Sequence, residues 1–191
     1  MSTRDRILNA SIDLFSQYGY KAVTTKQIAQ TASVNEVTLF RHFGTKQSIL
    51  EETINTFVFK AAVRKLFEEE IVWDLEKDLL FIGKAHNKIM NENKKIFMIM
   101  IKEFNILDGK EKNPFIKFPK KLMKLLTEYF MEMQRRGLVR RDNPEAQAAS
   151  LLCLSFGIFM STMMTHGDII EGSLDEYLSY AVKTLIRGLA P

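Results

Sequence analysis

Apolar residues recur every three to four positions along most of this 191-residue chain. That spacing places them on one face of an α-helix, whereas a half-buried strand would alternate with a period of two. The pattern predicts about nine helices and no strand, so the predicted fold class is all-α. Two of the helices are short and lie between Thr24 and Phe43. The longer ones are predicted at about residues 3–18, 45–70, 74–92, 94–107, 116–136, 144–166 and 173–189.

The segment from Thr24 to Lys46 predicts a helix-turn-helix. A threonine hydroxyl at its start, from Thr24 or Thr25, can cap the first short helix by accepting a free backbone N–H. On the second short helix Leu39 and Phe43 share one inward face, because they are four residues apart. The other faces carry polar and basic side chains. A helix that reads base edges and phosphates in a DNA major groove needs this division.

This segment resembles the DNA-binding domain of TetR-family transcriptional repressors over roughly the first quarter of the chain. The resemblance implies a helix-turn-helix DNA-binding domain over residues 1–48 and a helical effector-binding and dimerisation domain over residues 49–191. It also implies a repressor that binds a palindromic operator as a homodimer. The residues that carry it are Ile7, Leu14, Phe15, Gly19, Tyr20, Thr24, Thr25, Ile28, Ala29, Val34, Thr38, Leu39, Phe40, His42, Phe43, Lys46 and Leu50.

The resemblance assigns DNA contacts, position by position, to the second short helix and its surroundings. Lys46 begins the following helix, where its ammonium and the free backbone N–H groups can hold a phosphate. His42 is predicted to donate to a phosphate. The complete predicted DNA-binding set is Thr24, Thr25, Lys26, Asn35, Glu36, Val37, Thr38, Phe40, Arg41, His42 and Lys46.

Three residues depart from the family pattern. Ser33 stands where the family usually has glycine in the turn, and a positive φ there would cost serine about 1 kcal/mol relative to glycine. Val37 replaces a common glycine or proline, which allows an apolar contact to a thymine methyl group. Phe40 replaces a common tyrosine and lacks the hydroxyl that could bond a phosphate. These departures affect the contact list and leave the class unchanged.

Residues 96–101 are apolar on all sides, which predicts a buried helix. Met and Phe at helical spacing around it fit either a plain core or an adaptable pocket, and the resemblance favours a pocket for a mostly apolar small-molecule effector. Candidate polar anchors are His86, Asn87, Glu103 and Asn105. The predicted ligand-binding residues are His86, Met90, Phe97, Met100, Ile101, Phe104, Met123, Leu126, Phe130 and Phe156.

The segment Leu151–Met164 is apolar around the whole helix. It is shorter than the roughly 20 residues that span a bilayer, so no membrane partner is predicted. A large monomeric core would explain it, but a symmetric homodimer explains it more simply and suits two half-sites of a palindrome. The predicted dimer-interface residues are Leu152, Phe156, Phe159, Met163, Tyr177, Ala181 and Leu185.

The formal net charge of +4 is a weak indication of nucleic-acid binding. Residues 84–124 hold eleven lysines against four acids, a larger excess than residues 1–48 show. A lysine-rich stretch fits a solvated face, or the attraction of an anionic ligand or DNA. Charge alone therefore does not locate the DNA-binding domain.

Other classes of site find little support in the sequence. The single cysteine, Cys153, suits a reducing cytoplasm and is predicted to be a buried small hydrophobe. His86 and His166 have no metal-ligand spacing around them, and no catalytic constellation or cofactor-binding motif occurs. We therefore expect no enzyme, no metal and no cofactor.

One alternative function belongs to another class. The chain would then be a soluble α-helical small-molecule-binding protein whose helix-turn-helix serves only packing. Replacing Arg41 and Lys46 by alanine separates the two hypotheses, because only a DNA-binding protein would lose affinity for DNA.

Overall fold

A computed structural model describes residues 1–57, 70–103, 114–165 and 172–190. The regular structure within these ranges is helical, which confirms the predicted all-α class. The second half of the predicted fourth helix, Phe104, Asn105 and His166 lie outside the described residues. The described helices are α1 (Thr3–Tyr18), α2 (Thr25–Thr31), α3 (Glu36–Phe43), α4 (Lys46–Phe57), α5 (Leu75–Glu92), α6 (Lys94–Lys102), α7 (Pro114–Arg135), α8 (Pro144–Thr165) and α9 (Leu174–Leu189).

Local capping explains where α1 begins and ends. The Ser2 hydroxyl accepts the Asp5 N–H at 3.1 Å, and the Asp5 carboxylate accepts the Ser2 N–H at 3.1 Å. This reciprocal capping box satisfies two backbone donors that a helix start would otherwise leave unpaired. Gly19 ends the helix with a φ of 81°, a region that residues with a Cβ rarely adopt.

One compact unit combines Met1–Ala61 with Asn93–Phe118. Helix α1 lies at its centre and packs against α2, α4 and α6, while α3 packs against α2 and α4. Burial of large apolar side chains stabilises this arrangement, since each contributes roughly 1.5–3 kcal/mol when removed from water. Its buried side chains include Ile7, Phe15, Ile28, Leu39, Ile49 and Leu50.

The other compact unit combines Ala62–Glu92 with Pro119–Pro191, and α5, α8 and α9 pack against one another within it. Gly83 lets α5 approach α9 closely, because a Cβ at this position would lie 2.9 Å from a methyl carbon of Leu178. The buried Asp78 carboxylate links α5 to α7 by accepting the Tyr129 hydroxyl at 3.0 Å. Burial and this carboxylate raise the pKa of Tyr129 well above its ordinary value.

Two sequence predictions about burial are corrected. Helix α6 is not buried on every side, because Ile101 is 36% exposed. Cys153 is exposed rather than buried. Both residues lie in stretches that are mostly apolar on every side, residues 96–101 and 151–164, so composition could not reveal which face turns inward.

Candidate nucleic-acid interface

Helix α2 begins with a second capping box. The Thr24 hydroxyl accepts the Gln27 N–H at 3.2 Å, and the Gln27 side chain accepts the Thr24 N–H at 2.8 Å. Of the two threonines that could have capped this helix, Thr24 does so. Thr25, the first residue of the helix, is left with its hydroxyl available for another contact.

The turn between α2 and α3 is closed by backbone hydrogen bonds. The Val34 N–H donates to the Ala29 carbonyl at 2.9 Å, and the Ser33 N–H donates to the Gln30 carbonyl at 3.0 Å. Ser33 has a φ of 54°, in the left-handed region that favours glycine. The predicted cost of serine at this position therefore applies to this chain.

Helix α3 presents sharply different faces. Asn35 caps it by accepting the Thr38 N–H at 2.7 Å. Leu39 and Phe43 are buried, as the sequence spacing predicts. On the outer side Val37 is 77% exposed and Phe40 is 43% exposed. The predicted inner face therefore anchors the helix and leaves the outer face open to a partner.

The outer side of α3 also carries the basic residues of the segment. Arg41 and His42 are both exposed, and so is Lys26 on α2. Among the described residues Arg41 forms no ion pair, so its guanidinium keeps its five donors for a partner. This placement suits contacts to phosphates or to guanine.

Glu36 and Thr25 hold the starts of α2 and α3 together. The Thr25 hydroxyl donates a hydrogen bond to the Glu36 carboxylate. Both side chains are half-buried. This contact gives the two predicted DNA-binding residues a role within the motif itself, since it fixes the relative position of the two helix starts.

Lys46 begins α4, as predicted, but its side chain makes contacts that the sequence did not predict. Its ammonium donates to the Tyr20 carbonyl oxygen and lies 4.2 Å from the centre of the Tyr20 ring. Partial burial lowers the pKa of Lys46, and the nearby negative charge of Glu103 opposes this effect. Lys46, the first residue of α4, thus makes contacts inside its own unit.

The predicted ligand-binding residues fall into both compact units. Phe97, Met100 and Ile101 lie in the unit that contains the helix-turn-helix, and the other described members lie in the second unit. Within the second unit His86, Met90, Leu126 and Phe130 are buried, while Met123 and Phe156 are half-buried.

The second unit also contains a buried polar trio, His86, Asn87 and Ser155. The His86 Nδ1 atom is 2.8 Å from the Ser155 hydroxyl, to which the Asn87 amide donates at 2.9 Å. The same amide nitrogen is 3.2 Å from the Gly83 carbonyl. The buried Asn87 Oδ1 atom has no hydrogen-bond partner among the described residues. Burial lowers the pKa of His86 to about 4, so the imidazole is neutral near pH 7.

The predicted dimer-interface residues of α8 differ in how deeply they are buried. Phe159 and Met163 are only 1% and 5% exposed and belong to the core, which corrects their assignment to an interface. They follow Leu151 and Ser155 at steps of four and therefore turn inward with them. Leu152 and Phe156 are half-buried, as are Ala181 and Leu185 on α9, and Tyr177 is exposed.

The surface of α8 opposite this core face carries Cys153, Gly157 and Met164, all exposed. We call these three residues the outer face of α8. On α9 the exposed residues Tyr180, Thr184 and Gly188 lie at the same helical spacing. By length and composition alone, helix α8 could cross a membrane. Of the 18 residues in its most apolar stretch, 28% are buried within the subunit.

Sequence reasoning missed the role of Tyr20 and Glu103. Glu103 was a candidate ligand anchor, but its carboxylate accepts the Tyr20 N–H at 2.8 Å within the unit that contains the helix-turn-helix. The two residues are 83 positions apart, so no local pattern could pair them. In the part of the chain that the structure describes, no three His, Cys, Asp or Glu side chains are grouped as a metal site would require.

The fold and the exposed face of α3 define a helix-turn-helix DNA-binding protein. The sequence model of the bacterial regulatory proteins of the tetR family matches residues 7–53. The uncharacterized HTH-type transcriptional regulator YvkB of Bacillus subtilis (strain 168) is 28% identical over 188 residues, which cover 98% of this chain and 97% of YvkB.

Two further similarities concern the N-terminal segment and the fold. IcaR of Staphylococcus aureus (strain Newman), a negative transcriptional regulator of the biofilm operon icaADBC, is 35% identical over 51 residues, which are 27% of each chain. A transcriptional regulator from Saccharomonospora viridis, solved in complex with choline, has a TM-score of 0.78 and 18% identity, with 98% of this chain and 97% of that chain covered. Residues 7–53 of this chain therefore match the TetR family, and almost its whole length is similar to an HTH-type transcriptional regulator. The TetR family consists of regulators rather than enzymes.

Proposed function

We propose that this regulator is a repressor that binds a palindromic operator as a homodimer and is released by a mostly apolar small molecule. The exposed outer side of α3 is the observation that carries the proposal. IcaR, which is similar over the helix-turn-helix, is a negative regulator. Residues 1–48 would bind DNA, residues 49–191 would bind the effector and the second subunit, and the protein would act in the cytoplasm.

On α3 we assign base contacts to Arg41 and Val37. The Arg41 guanidinium can donate two hydrogen bonds to O6 and N7 of a guanine, or it can hold a phosphate. The exposed Val37 side chain fits a thymine methyl group. Lys26 and His42 flank these two residues with donors suited to phosphates.

The dimer would form through α8 and α9. Burying a second copy against the outer face of α8 would remove its apolar side chains from water, which is the main favourable term in association. Gly157 and Gly188 have no side chain to keep a partner helix at a distance, and a Cβ at either position would meet nothing within 4 Å in the single subunit. A four-helix interface made of two helices from each subunit fits these features.

The effector would bind beside the polar trio of the second unit. A buried acceptor without a partner costs roughly 1–3 kcal/mol, and native proteins usually satisfy such atoms with water or a ligand. A small molecule with a hydroxyl or amide N–H could donate to the Asn87 Oδ1 atom, while Met90, one turn further along α5, supplies an apolar neighbour. The S. viridis protein of this fold is solved with a small molecule, choline.

The first experiment selects DNA duplexes from a random library with the purified protein. We expect a palindrome whose half-sites are about 34–36 Å apart, the spacing of successive major grooves on one side of B-DNA. Binding should weaken steeply with salt, because phosphate contacts release counterions. A dimer with no preference for any selected duplex over random DNA at physiological salt would overturn the proposal.

A crystal structure of the purified protein tests the effector. We expect electron density for a small molecule with a donor within hydrogen-bond distance of the Asn87 Oδ1 atom. An interior filled entirely by side chains around Asn87 would contradict the effector and leave the DNA-binding proposal intact.

A further inference from the structure

The C-terminal end of α6 binds the C-terminal end of α1 through Lys102. The Lys102 ammonium donates to the carbonyl oxygens of Ser16 at 2.7 Å and Gln17 at 3.3 Å. The last carbonyls of a helix have no N–H partner within the helix, and a cation there also complements the helix dipole. The contact therefore satisfies groups at the end of α1 and fixes α6 against it.

The next residue, Glu103, contacts the loop after α1. The Glu103 carboxylate accepts the Tyr20 N–H at 2.8 Å and is only 7% exposed. Gly19 makes room for it, because a Cβ at this position would come within 3.3 Å of the Glu103 Oε1 atom. Since an unpaired buried charge is costly, the carboxylate and the Tyr20 backbone hold each other in place.

The other side of Tyr20 holds Lys46. The Tyr20 carbonyl accepts a hydrogen bond from the Lys46 ammonium, which also lies over the Tyr20 ring. Lys46 is the first residue of α4 and follows the end of α3, at Phe43, by three positions. One residue of the loop therefore touches both the end of α6 and the start of α4.

We propose that Glu103 is a positioning residue for operator binding, which acts through Tyr20 on Lys46. The carboxylate fixes the Tyr20 backbone, and the Tyr20 carbonyl and ring fix the Lys46 ammonium beside the recognition helix. Glu103 itself is buried and touches no DNA. The proposal rests on the proposed operator binding, and it makes α6 part of the machinery that orients the DNA-binding helices.

The same helix provides a matched control. The Lys95 ammonium lies 2.6 Å from the Asp13 carboxylate, so this pair also links α6 to α1. Both side chains are more than half exposed, and exposed ion pairs contribute little to stability. Neither residue contacts Tyr20 or Lys46. Removing this pair therefore tests whether losing any contact between α6 and α1 is enough to weaken operator binding.

The experiment measures the affinity of full-length variants for the duplex that the wild type selects. We expect Glu103→Ala to weaken binding about five- to tenfold, because the Tyr20 N–H loses its acceptor. Glu103→Gln keeps an acceptor oxygen and should remain within about twofold of the wild type, as should Lys95→Ala. A Gln variant as weak as the Ala variant, or an Ala variant that binds like the wild type, would overturn the proposal.

A double-mutant cycle with Lys46→Ala separates positioning from general damage. If Glu103 acts through Lys46, adding Glu103→Ala to the Lys46→Ala variant should change operator affinity less than twofold. An undiminished loss in that background would mean that Glu103 acts by another route, and the proposal would fail.

Thermal unfolding shows whether each variant is folded at the assay temperature. Should Glu103→Ala not fold, Glu103→Asp replaces it, because this variant keeps the charge but withdraws the carboxylate by one methylene. The same five- to tenfold loss is then expected, and wild-type affinity would contradict the proposal. Failure of the wild type to select any duplex would instead refute the proposed operator binding.

Discussion

Helices α3 and α8 both leave one face outside the core of their own unit, but the two faces differ in chemistry. On α3 the buried residues Leu39 and Phe43 lie opposite a side with Arg41 and His42. On α8 the inner residues such as Phe159 lie opposite an outer face that is itself apolar and small. One helix therefore exposes hydrogen-bond donors, and the other exposes apolar surface.

The difference indicates what each face would bind. Exposed donors next to a capped helix suit phosphates and base edges, whose acceptors they match. An exposed apolar face suits a surface of the same kind, and a second copy of the chain provides it. A regulator that reads a palindrome needs both faces, since one positions each subunit on DNA and the other sets the spacing between subunits.

The largest expected effect comes from placing a charge on the outer face of α8. Gly157→Glu should abolish dimerisation and weaken operator binding about 100-fold or more, because each subunit would then hold only one half-site. The variant subunit should stay folded, since the space around Gly157 is open and glutamate favours a helix by about 0.5–1 kcal/mol over glycine. Analytical ultracentrifugation measures the oligomeric state.

Met131→Glu is the matched control for this prediction. Met131 is an exposed apolar residue on α7, so the variant carries the same new charge on another surface. It should remain a dimer. Dissociation of both variants would mean that the outer face of α8 is not the specific interface.

The next largest effect concerns the other face. Arg41→Ala should weaken operator binding by about 1–3 kcal/mol per half-site, if its guanidinium holds a guanine. Fluorescence anisotropy with the selected duplex measures the loss, and base substitutions at each position show whether specificity relaxes at one of them. Arg141→Ala, at an exposed position between α7 and α8, should change the affinity little. Equal affinity of the Arg41 variant and the wild type would remove α3 from the interface.

A third prediction concerns pH and the polar trio. Because burial lowers the pKa of His86 to about 4 from 6.5, the unfolded chain binds more protons than the folded chain between these values. The contribution to stability is fully present above pH 6.5 and is lost as the pH falls toward 4, by up to about 3 kcal/mol. Urea unfolding across this range should show a steeper decline for the wild type than for His86→Gln. Parallel curves would argue against a neutral, buried His86.

The smallest expected effect lies in the turn of the helix-turn-helix. Ser33→Gly should raise the free energy of unfolding by about 0.5–1 kcal/mol, because serine is strained at a φ of 54°. Ser150→Gly, at an exposed position inside α8, should lower it by a similar amount. Thermal unfolding of the two variants compares the shifts, and shifts in the same direction would contradict the strain at Ser33.

Much of the fold was predictable because its signals are local. Helix α1 has the bounds that the sequence predicts, and α5, α8 and α9 differ from prediction by about one residue at their ends. Capping residues such as Thr24 and Asn35 act within three positions of themselves, so the sequence displays them directly. The inner face of α3 follows from the same short-range periodicity.

The side-chain sites were less predictable. Lys46 is predicted to contact a phosphate, and the structure adds a contact that no local pattern shows, because its ammonium donates to the carbonyl oxygen of Tyr20, 26 positions earlier in the chain. Phe159 and Met163 were expected to face a partner subunit, but they lie in the core. In an all-apolar helix the periodicity carries no signal of direction, because every face has the same free energy of transfer from water.

The sequence by itself determined the all-α class, the helix-turn-helix and its capping, because hydrophobic periodicity and backbone capping act over a few residues. The tertiary structure decided which face of α8 remains exposed and which partner each charged side chain takes. Glu103 meets Tyr20 across 83 positions only because α6 packs against α1. Such contacts depend on how separate helices share one core, and this depends on the packing of the whole unit rather than on any short stretch of the chain.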